Sequence, residues 1–421
     1  MEQVKNLILG AGIAGLGASY ALNERGESSV VLEKNPAYGG LCNSFEIQGF
    51  RFDRFVHLSF TKDERVNNIF HGSSPEVITH IPNPFNLYHN IWIKHPAQNN
   101  LYPLPELEKK LILDGFFSRP LAPQKVNNYE EWLRIQYGDY FAEHFPMVYT
   151  RKYWMHEARD LRTEWIGIRL YQPSVEEVIQ GCKTPDTPVT YFAKQMRYPE
   201  KGGIMAYLKS MAAVADIRCN AEVREIDLVN KLVTTKDGRI FRYDRLISSL
   251  PLTEIIPMLR DVPDSVLDAT SQLDYTSGYH VSVALKTKNI PPYLWWYIYD
   301  EEILAARVYS PSLKSPDNAP EGCSSLQMEV YCKENQYTEQ QLIDGTVGKL
   351  IERGILNAED ILFTHVGFEK FANIVFTEPI YEARRVVRDY LSSVGIETIG
   401  RFGEWDYLWT DQSLLSGLKI R

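Results

Sequence analysis

Leu7-Ile8-Leu9-Gly10-Ala11-Gly12-Ile13-Ala14-Gly15 is an apolar run that breaks into three spaced glycines. A helical stretch, Leu16 to Arg25, follows, and a second apolar run, Val30-Val31-Leu32, ends at Glu33. The order is strand, turn, helix, strand. Gly10 allows the tight turn, Gly12 lets the backbone approach a pyrophosphate, and Gly15 lets the helix lie close against the strand. The freed N–H groups at the helix start face the anion. Glu33 ends the second strand, where a carboxylate accepts hydrogen bonds from the ribose hydroxyls of an adenosine and repels a 2′-phosphate.

Beyond the acid, Asn35-Pro36-Ala37-Tyr38-Gly39-Gly40 adds a second glycine pair, a further backbone approach that NAD domains seldom need and flavin enzymes use beside the cofactor. FAD is therefore the expected dinucleotide. A histidine, His57, follows the segment Ser44 to Asp53, which alternates and turns at Gly49 as a β-hairpin does. His57 can sit over the isoalloxazine; a surface position fits the sequence equally well.

The 421 residues suffice for two or three units with substantial cores. With 45 basic against 54 acidic residues the formal charge is −9, and no long basic tract is present, which argues against a nucleic-acid partner. An anionic substrate then needs a local arginine cluster working against the overall field. Five scattered cysteines, with no C-x-x-C and no metal-ligand spacing, suit a reducing cytoplasm and predict no metal site. The apolar N-terminus is explained by the nucleotide-binding unit rather than by a signal peptide, and no run approaches the roughly 18 apolar residues of a membrane span. An oligomer is compatible with the sequence.

The chain then predicts a strand pair, Asn90 to Lys94 with Asn100 to Pro105, and a helical insertion from Asn127 to Trp154, where aromatic and charged residues recur at intervals of three and four. A glycine turn at Gly202-Gly203 precedes a helix from Ile204 to Val214. Ala221 to Ile226, Leu232 to Thr235 and Arg245 to Leu250 read as a β-meander, a return to strand that suggests a nucleotide domain assembled from separated pieces. His280 to Leu285, Trp295 to Tyr299, Ala305 to Tyr309 and Ser325 to Tyr331 alternate as an antiparallel sheet does. Ile396 to Gly400 is a last strand, followed by a helix from Asp411 to Leu418. The fold class is α/β: a Rossmann-like FAD-binding domain (1–90, 195–270 and 390–421), a helical insertion (105–165) and an antiparallel β-sheet substrate domain (91–104, 166–194 and 271–389).

Three further stretches are specific. Tyr102-Pro103-Leu104-Pro105 is similar to a YPLP motif, Tyr149-Thr150-Arg151-Lys152-Tyr153-Trp154 to YTRKxW, and Gly400-Arg401-Phe402-Gly403 through Tyr407-Leu408 to GRLGxYxYL. On these the chain resembles the UDP-galactopyranose mutases, within the flavin superfamily that includes amine oxidases, protoporphyrinogen oxidases and carotenoid desaturases. The resemblance runs along nearly the whole chain. It implies a flavin active in its reduced form, whose N5 attacks the anomeric carbon of a UDP-sugar while UDP leaves; the adduct opens and recloses as a five-membered ring without net redox. It implies Arg169 and Arg307 as the arginines that hold the diphosphate, with His57 at the flavin, and Trp154, Tyr149 and Tyr407 as substrate contacts, although a core role for Trp154 fits the sequence as well. The cofactor contacts it implies are Gly10, Gly12, Ile13, Ala14, Gly15, Glu33, Lys34, Gly40, Leu41, Val223, Gly400, Arg401 and Asp411. The partner it implies is a nucleotide sugar, a UDP-hexose, in surface polysaccharide biosynthesis.

The chain departs from the mutase pattern at three places. The pair of histidines in H-I-F-H is here His57-Leu58-Ser59-Phe60, keeping the first and losing the second. Gly39-Gly40 precedes Leu41-Cys42, closer to the desaturase and porphyrinogen oxidase form. The carboxylate two residues beyond the final tyrosine is Trp409, with Asp411 after it. The alternatives are an FAD-dependent oxidoreductase of the amine oxidase, protoporphyrinogen oxidase or desaturase kind, and a flavin-bound protein without turnover.

Overall fold

A computed structural model describes residues 1–120 and 125–420. Two large sheets, each of seven strands, carry the described chain. The first is built around Glu2–Leu9, which lies parallel to Ser29–Leu32 on one side and to Ile240–Ser248 on the other, with Leu7 opposite Val30 and Leu246. Helix Ile13–Glu24 makes the crossover, and Leu7, Ile8 and Leu9 are wholly buried beneath it. Strands buried on both faces read as unbroken apolar runs, and this one does.

The nucleotide-type sheet is completed by distant chain, as the late return to strand implies. Asp216–Arg218 adds to the edge at Ser29–Leu32, Val223–Asp227 and Leu232–Thr235 form the meander with Ile240–Ser248, and Ile396–Thr398 pairs in parallel with Leu246 to Ser248. Helix Thr410–Leu418 then packs on helix Ile13–Glu24. Their approach is so close that a methyl group at Gly417 would lie 2.1 Å from the Ala14 carbonyl oxygen.

The second sheet runs Ile361–Ile374, Tyr275–Leu285, Ser324–Cys332, Arg307–Tyr309, Trp295–Ile298, Phe85–Tyr88 and Ile91–Lys94. It is antiparallel except where Trp295–Ile298 meets Phe85–Tyr88. The hairpin at Gly49 forms as expected between Ser44–Ile47 and Phe50–Asp53. The strand pair proposed for 90–105 does not. Ile91–Lys94 pairs instead with Phe85–Tyr88, through the two-residue turn His89-Asn90, both at positive φ (48° and 64°). That turn matches strand twist, whereas Pro103 and Pro105 deprive 100–105 of ladder donors. The helical insertion comprises Glu106–Ser118, Tyr129–Tyr137, Asp139–His144 and Pro146–Trp154, divided at Gly138 and Pro146. The helix expected from Ile204 begins as a 3-10 turn, Ile204–Leu208, and becomes α-helical only over Lys209–Val214.

A buried ion pair joins these parts. Lys314 Nζ lies 2.5 Å from Asp53 Oδ2, and neither side chain is exposed. Asp53 also accepts from Ser44 Oγ (2.7 Å), Tyr198 Oη (2.7 Å) and the Ile204 amide (3.1 Å). Burial alone would raise the Asp53 carboxyl, but Lys314 and these donors outweigh it and hold it below its usual range. Lys314→Met leaves that carboxylate buried and unpaired, and a loss of about 3–5 kcal/mol is expected in denaturant unfolding. The paired Asp53→Asn/Lys314→Met variant should recover part of it.

His280, 3% exposed, sits between Phe45 and Phe55, with ring centroids 5.3 and 6.0 Å away. Burial, with His365 and Arg54 nearby, pulls its pKa down to about 3. Below about pH 6.5 the unfolded chain takes up a proton there that the folded chain refuses, so stability falls with pH until about pH 3. The expected slope is about 1.4 kcal/mol per pH unit from this residue. Unfolding of wild type and His280→Gln between pH 6.5 and 4.5 should differ by that slope.

Candidate functional site

The glycine loop forms the floor of the site. Gly10 has φ +94°, and a methyl group at Gly15 would lie 1.9 Å from the Gly10 carbonyl oxygen, so helix and turn touch only because Gly15 has no side chain. Gly12 caps helix Ile13–Glu24 with no side-chain acceptor, and an added Cβ there meets nothing within 4 Å. The first-turn amides are thus left to whatever fills that space. Glu33, 5% exposed, accepts from the Ala11 amide (3.0 Å) and from the Asn35 amide and side chain (2.9 and 2.8 Å). Those bonds fix its carboxylate at the strand end and tie it to the loop. The second glycine pair docks on the first, with the Gly39 amide donating to the Ala11 carbonyl at 2.8 Å.

A cavity of about 460 Å³ extends from this floor to the second sheet. Of the expected cofactor contacts, Gly10, Gly12, Ile13, Ala14, Glu33, Lys34, Gly40, Leu41, Val223, Gly400, Arg401 and Asp411 all line it; Gly15 lies behind, in the helix–turn contact. A space lined by open glycines, a fixed carboxylate beside them and the start of helix Thr410–Leu418 fits the diphosphate, ribose and flavin parts of FAD. Gly15→Ala should break the loop geometry: the purified protein is expected to carry less than about a tenth of the wild-type flavin by absorbance, since the methyl group cannot fit without moving Gly10.

His57 lines the same cavity. Its Nδ1 donates to the Phe55 carbonyl (3.3 Å), leaving the other ring nitrogen as an acceptor, and burial lowers its pKa, which keeps the ring neutral at pH 7. Arg307, on its short strand, also lines the cavity. Glu329 holds it: Oε2 accepts from Arg307 Nε (2.8 Å), from Nη2 (2.6 Å) and from Tyr331 Oη (2.8 Å). Glu329 is wholly buried, and its other oxygen accepts from the Val56 amide (2.8 Å), so one carboxylate positions both Arg307 and the segment bearing His57. Burial would lower the Arg307 pKa; Glu329 overrides it and keeps the guanidinium charged.

Tyr407 lines the cavity too, its hydroxyl 3.2 Å from that of Tyr153. The remaining expected substrate contacts form a second layer. Arg169 stacks over Tyr407 and Trp409, at 4.3 and 4.7 Å to the ring centroids, and donates to the carbonyls of Tyr407 (2.8 Å) and Trp165 (2.9 Å). It does not line the cavity. Trp154, 4% exposed, packs edge-on against Trp165, Phe376 and Tyr407, the core role left open by the sequence. Tyr149 stands behind Tyr153 and Tyr297, ring centroids 5.5 and 5.4 Å away.

Sequence reasoning missed Glu329, Tyr153 and the aromatic wall of Tyr191, Phe192, Trp295 and Tyr297. Glu329 had a signal: a lone glutamate in Ser324–Cys332, a strand otherwise apolar or neutral and buried along its whole length. The wall comes from one loop, Tyr191-Phe192, and from alternate residues of strand Trp295–Ile298, and alternation does not say which face of a strand meets the cavity.

Residues 13–381 match the family model of flavin containing amine oxidoreductases. Among curated proteins, a 1-hydroxycarotenoid 3,4-desaturase of Flavobacterium sp. (strain P99-3) is 45% identical over 73 residues, 17% of this chain and 14% of that protein. An all-trans-retinol 13,14-reductase of Danio rerio is 38% identical over 56 residues, 13% of this chain and 9% of that protein. The matches thus span a small part of those relatives. Among solved structures, a reduced UDP-galactopyranose mutase superposes with a TM-score of 0.93 at 24% identity, over 99% of this chain and 94% of that one. That likeness establishes the shared fold. Among the described residues no helix is long and apolar enough to cross a membrane.

Proposed function

The chain belongs to the family of flavin containing amine oxidoreductases, with FAD as its cofactor, and from that premise we propose that it interconverts the pyranose and furanose forms of a nucleotide sugar, UDP-galactose or a relative. The observation that carries the proposal is Arg307, a permanently charged guanidinium fixed on a buried Glu329 at the wall of the flavin cavity. A diphosphate that must leave the anomeric carbon and then return to it needs positive charge that neither gives up a proton nor wanders. Guanidinium supplies that through charge-assisted hydrogen bonds. The Glu329 pair engages Nε and Nη2 and does not use Nη1, which remains for a phosphate oxygen.

When bound and reduced, FAD supplies an electron-rich centre toward the anomeric carbon. The chain's own residues do the rest. His57, neutral and oriented by the Phe55 carbonyl, offers an acceptor to a sugar hydroxyl. Tyr407 and Tyr153 offer phenolic donors to the diphosphate, and Arg169, stacked on Tyr407, adds charge from behind and fixes that ring. Arg401, its guanidinium 5.0 Å from the Tyr407 ring centroid, extends the positive field. The full-length fold shared with a reduced UDP-galactopyranose mutase supports this reading. The product would serve surface polysaccharide assembly.

A second reading, a net oxidoreductase, is favoured by the local matches to a desaturase and a reductase and by the aromatic walls of the cavity. The two differ in the fate of the electrons. Dithionite-reduced protein should convert a UDP-hexopyranose to a product of changed ring size by NMR with no stoichiometric change in flavin absorbance. Arg307→Ala should lower that turnover at least about 1,000-fold, with Arg307→Lys recovering only part of it. Reduced protein that converts no nucleotide hexose, while substrate bleaches the oxidised flavin mole for mole, would establish the oxidoreductase instead.

A further inference from the structure

Phe60 and Trp409, two of the positions where this chain departs from the mutase pattern, touch each other. Their rings are 4.9 Å apart and edge-on. Phe192 joins them, 5.3 Å from Phe60 and stacked on Trp409 at 5.4 Å with the planes 7° apart. The three come from separate parts of the chain, and all line the cavity. Phe60 follows His57 on one segment and Trp409 follows Tyr407 on another, all four line the one cavity, and Arg169 stacks on both Tyr407 and Trp409 from behind.

An imidazole and a carboxylate at these places would hydrogen-bond sugar hydroxyls. Three aromatic rings cannot, apart from the single indole N–H of Trp409. A hydroxyl pressed against them gives up water and gains no partner, whereas a methyl group gives up nothing and gains apolar contact. The ring change itself restricts where oxygen can be dispensed with. The anomeric carbon and the oxygens on C4 and C5 are the atoms whose bonds break and form, so they must stay. The exocyclic C6 takes no part and projects from the ring, and its deoxygenation leaves a methyl group.

Resting on the proposed mutase reaction, we infer that the sugar presents a methyl-bearing C6 to the wall of Phe60, Phe192 and Trp409: the preferred substrate is a nucleotide-linked 6-deoxyhexose, and a hexose is the poorer one. The wall makes this selection without touching the reacting atoms. Phe60 and Trp409 determine specificity, while Arg307 and His57 serve the chemistry whichever sugar is bound.

The test uses UDP-galactose and UDP-6-deoxygalactose, which differ by one oxygen, titrated anaerobically into the dithionite-reduced holoenzyme with the flavin absorbance change as readout. Wild type should bind the deoxy sugar about 10- to 100-fold more tightly. The Phe60→His/Trp409→Asp variant, confirmed to retain flavin, should lose that preference to within about threefold. Equal or tighter binding of UDP-galactose by wild type, or an unchanged preference in the double variant, overturns the inference while leaving the mutase reading in place. Binding of neither sugar at millimolar concentration overturns the mutase reading and the inference together.

Discussion

The contact between Asp53 and Lys314 is the constraint on which the site's geometry depends. Charge is costly in an apolar interior unless every lone pair is met, and Asp53 is met by donors from four places in the chain: Ser44, Tyr198, Ile204 and Lys314. The hairpin that leads to His57 ends on this carboxylate. Helix Pro311–Lys314 follows directly from the strand that bears Arg307. The segment that bears His57 and the strand that bears Arg307 are thus fastened at one point, a few residues from the cavity that both line. Glu329 repeats the device closer to the cavity, with the Val56 amide on one oxygen and Arg307 on the other.

Both carboxylates are buried, and both are used to hold something else in place. A glutamate pairing with an arginine is ordinarily a way of neutralising charge. Here the pairing engages two of the three guanidinium nitrogens, Nε and Nη2, and so fixes the side chain at the cavity wall. Arg169 is managed differently, by stacking on Tyr407 and Trp409 and by two carbonyl acceptors, an arrangement that holds it one layer behind the cavity wall.

The fold was largely legible where local chemistry leaves few choices. Gly10, Gly12, Gly15 and Glu33 specify a strand, a turn and a carboxylate, and each lies where that logic requires. The hairpin at Gly49 was equally plain, because alternation brackets a glycine that accepts the positive φ found there and at Gln48. The strand pair at 90–105 misled because apolar alternation says that a segment is a strand without saying which partner it takes; the His89-Asn90 turn decided that. Ile361–Ile374, the longest strand, went unread since it is only half-buried over most of its length and carries no single-face pattern. At the site, a motif did not say which of its side chains meets the cavity: Tyr153 stood inside the YTRKxW stretch, yet the helix turns that ring rather than Tyr149 to the lining. Glu329 left a trace as the one charged residue of its strand, whereas Phe192 owes its place to loop packing, which no local window records.

The contact between Gly417 and Ala14 joins two helices that lie far apart in sequence. The glycine loop makes one wall of the cavity, and Gly400, Thr410 and Ser413 belong to another. Neither segment encloses the space alone, so the cradle exists only while the two helices stay docked. A change that loosens the Gly417 contact therefore reaches the cofactor without touching it, by parting the two halves of its seat.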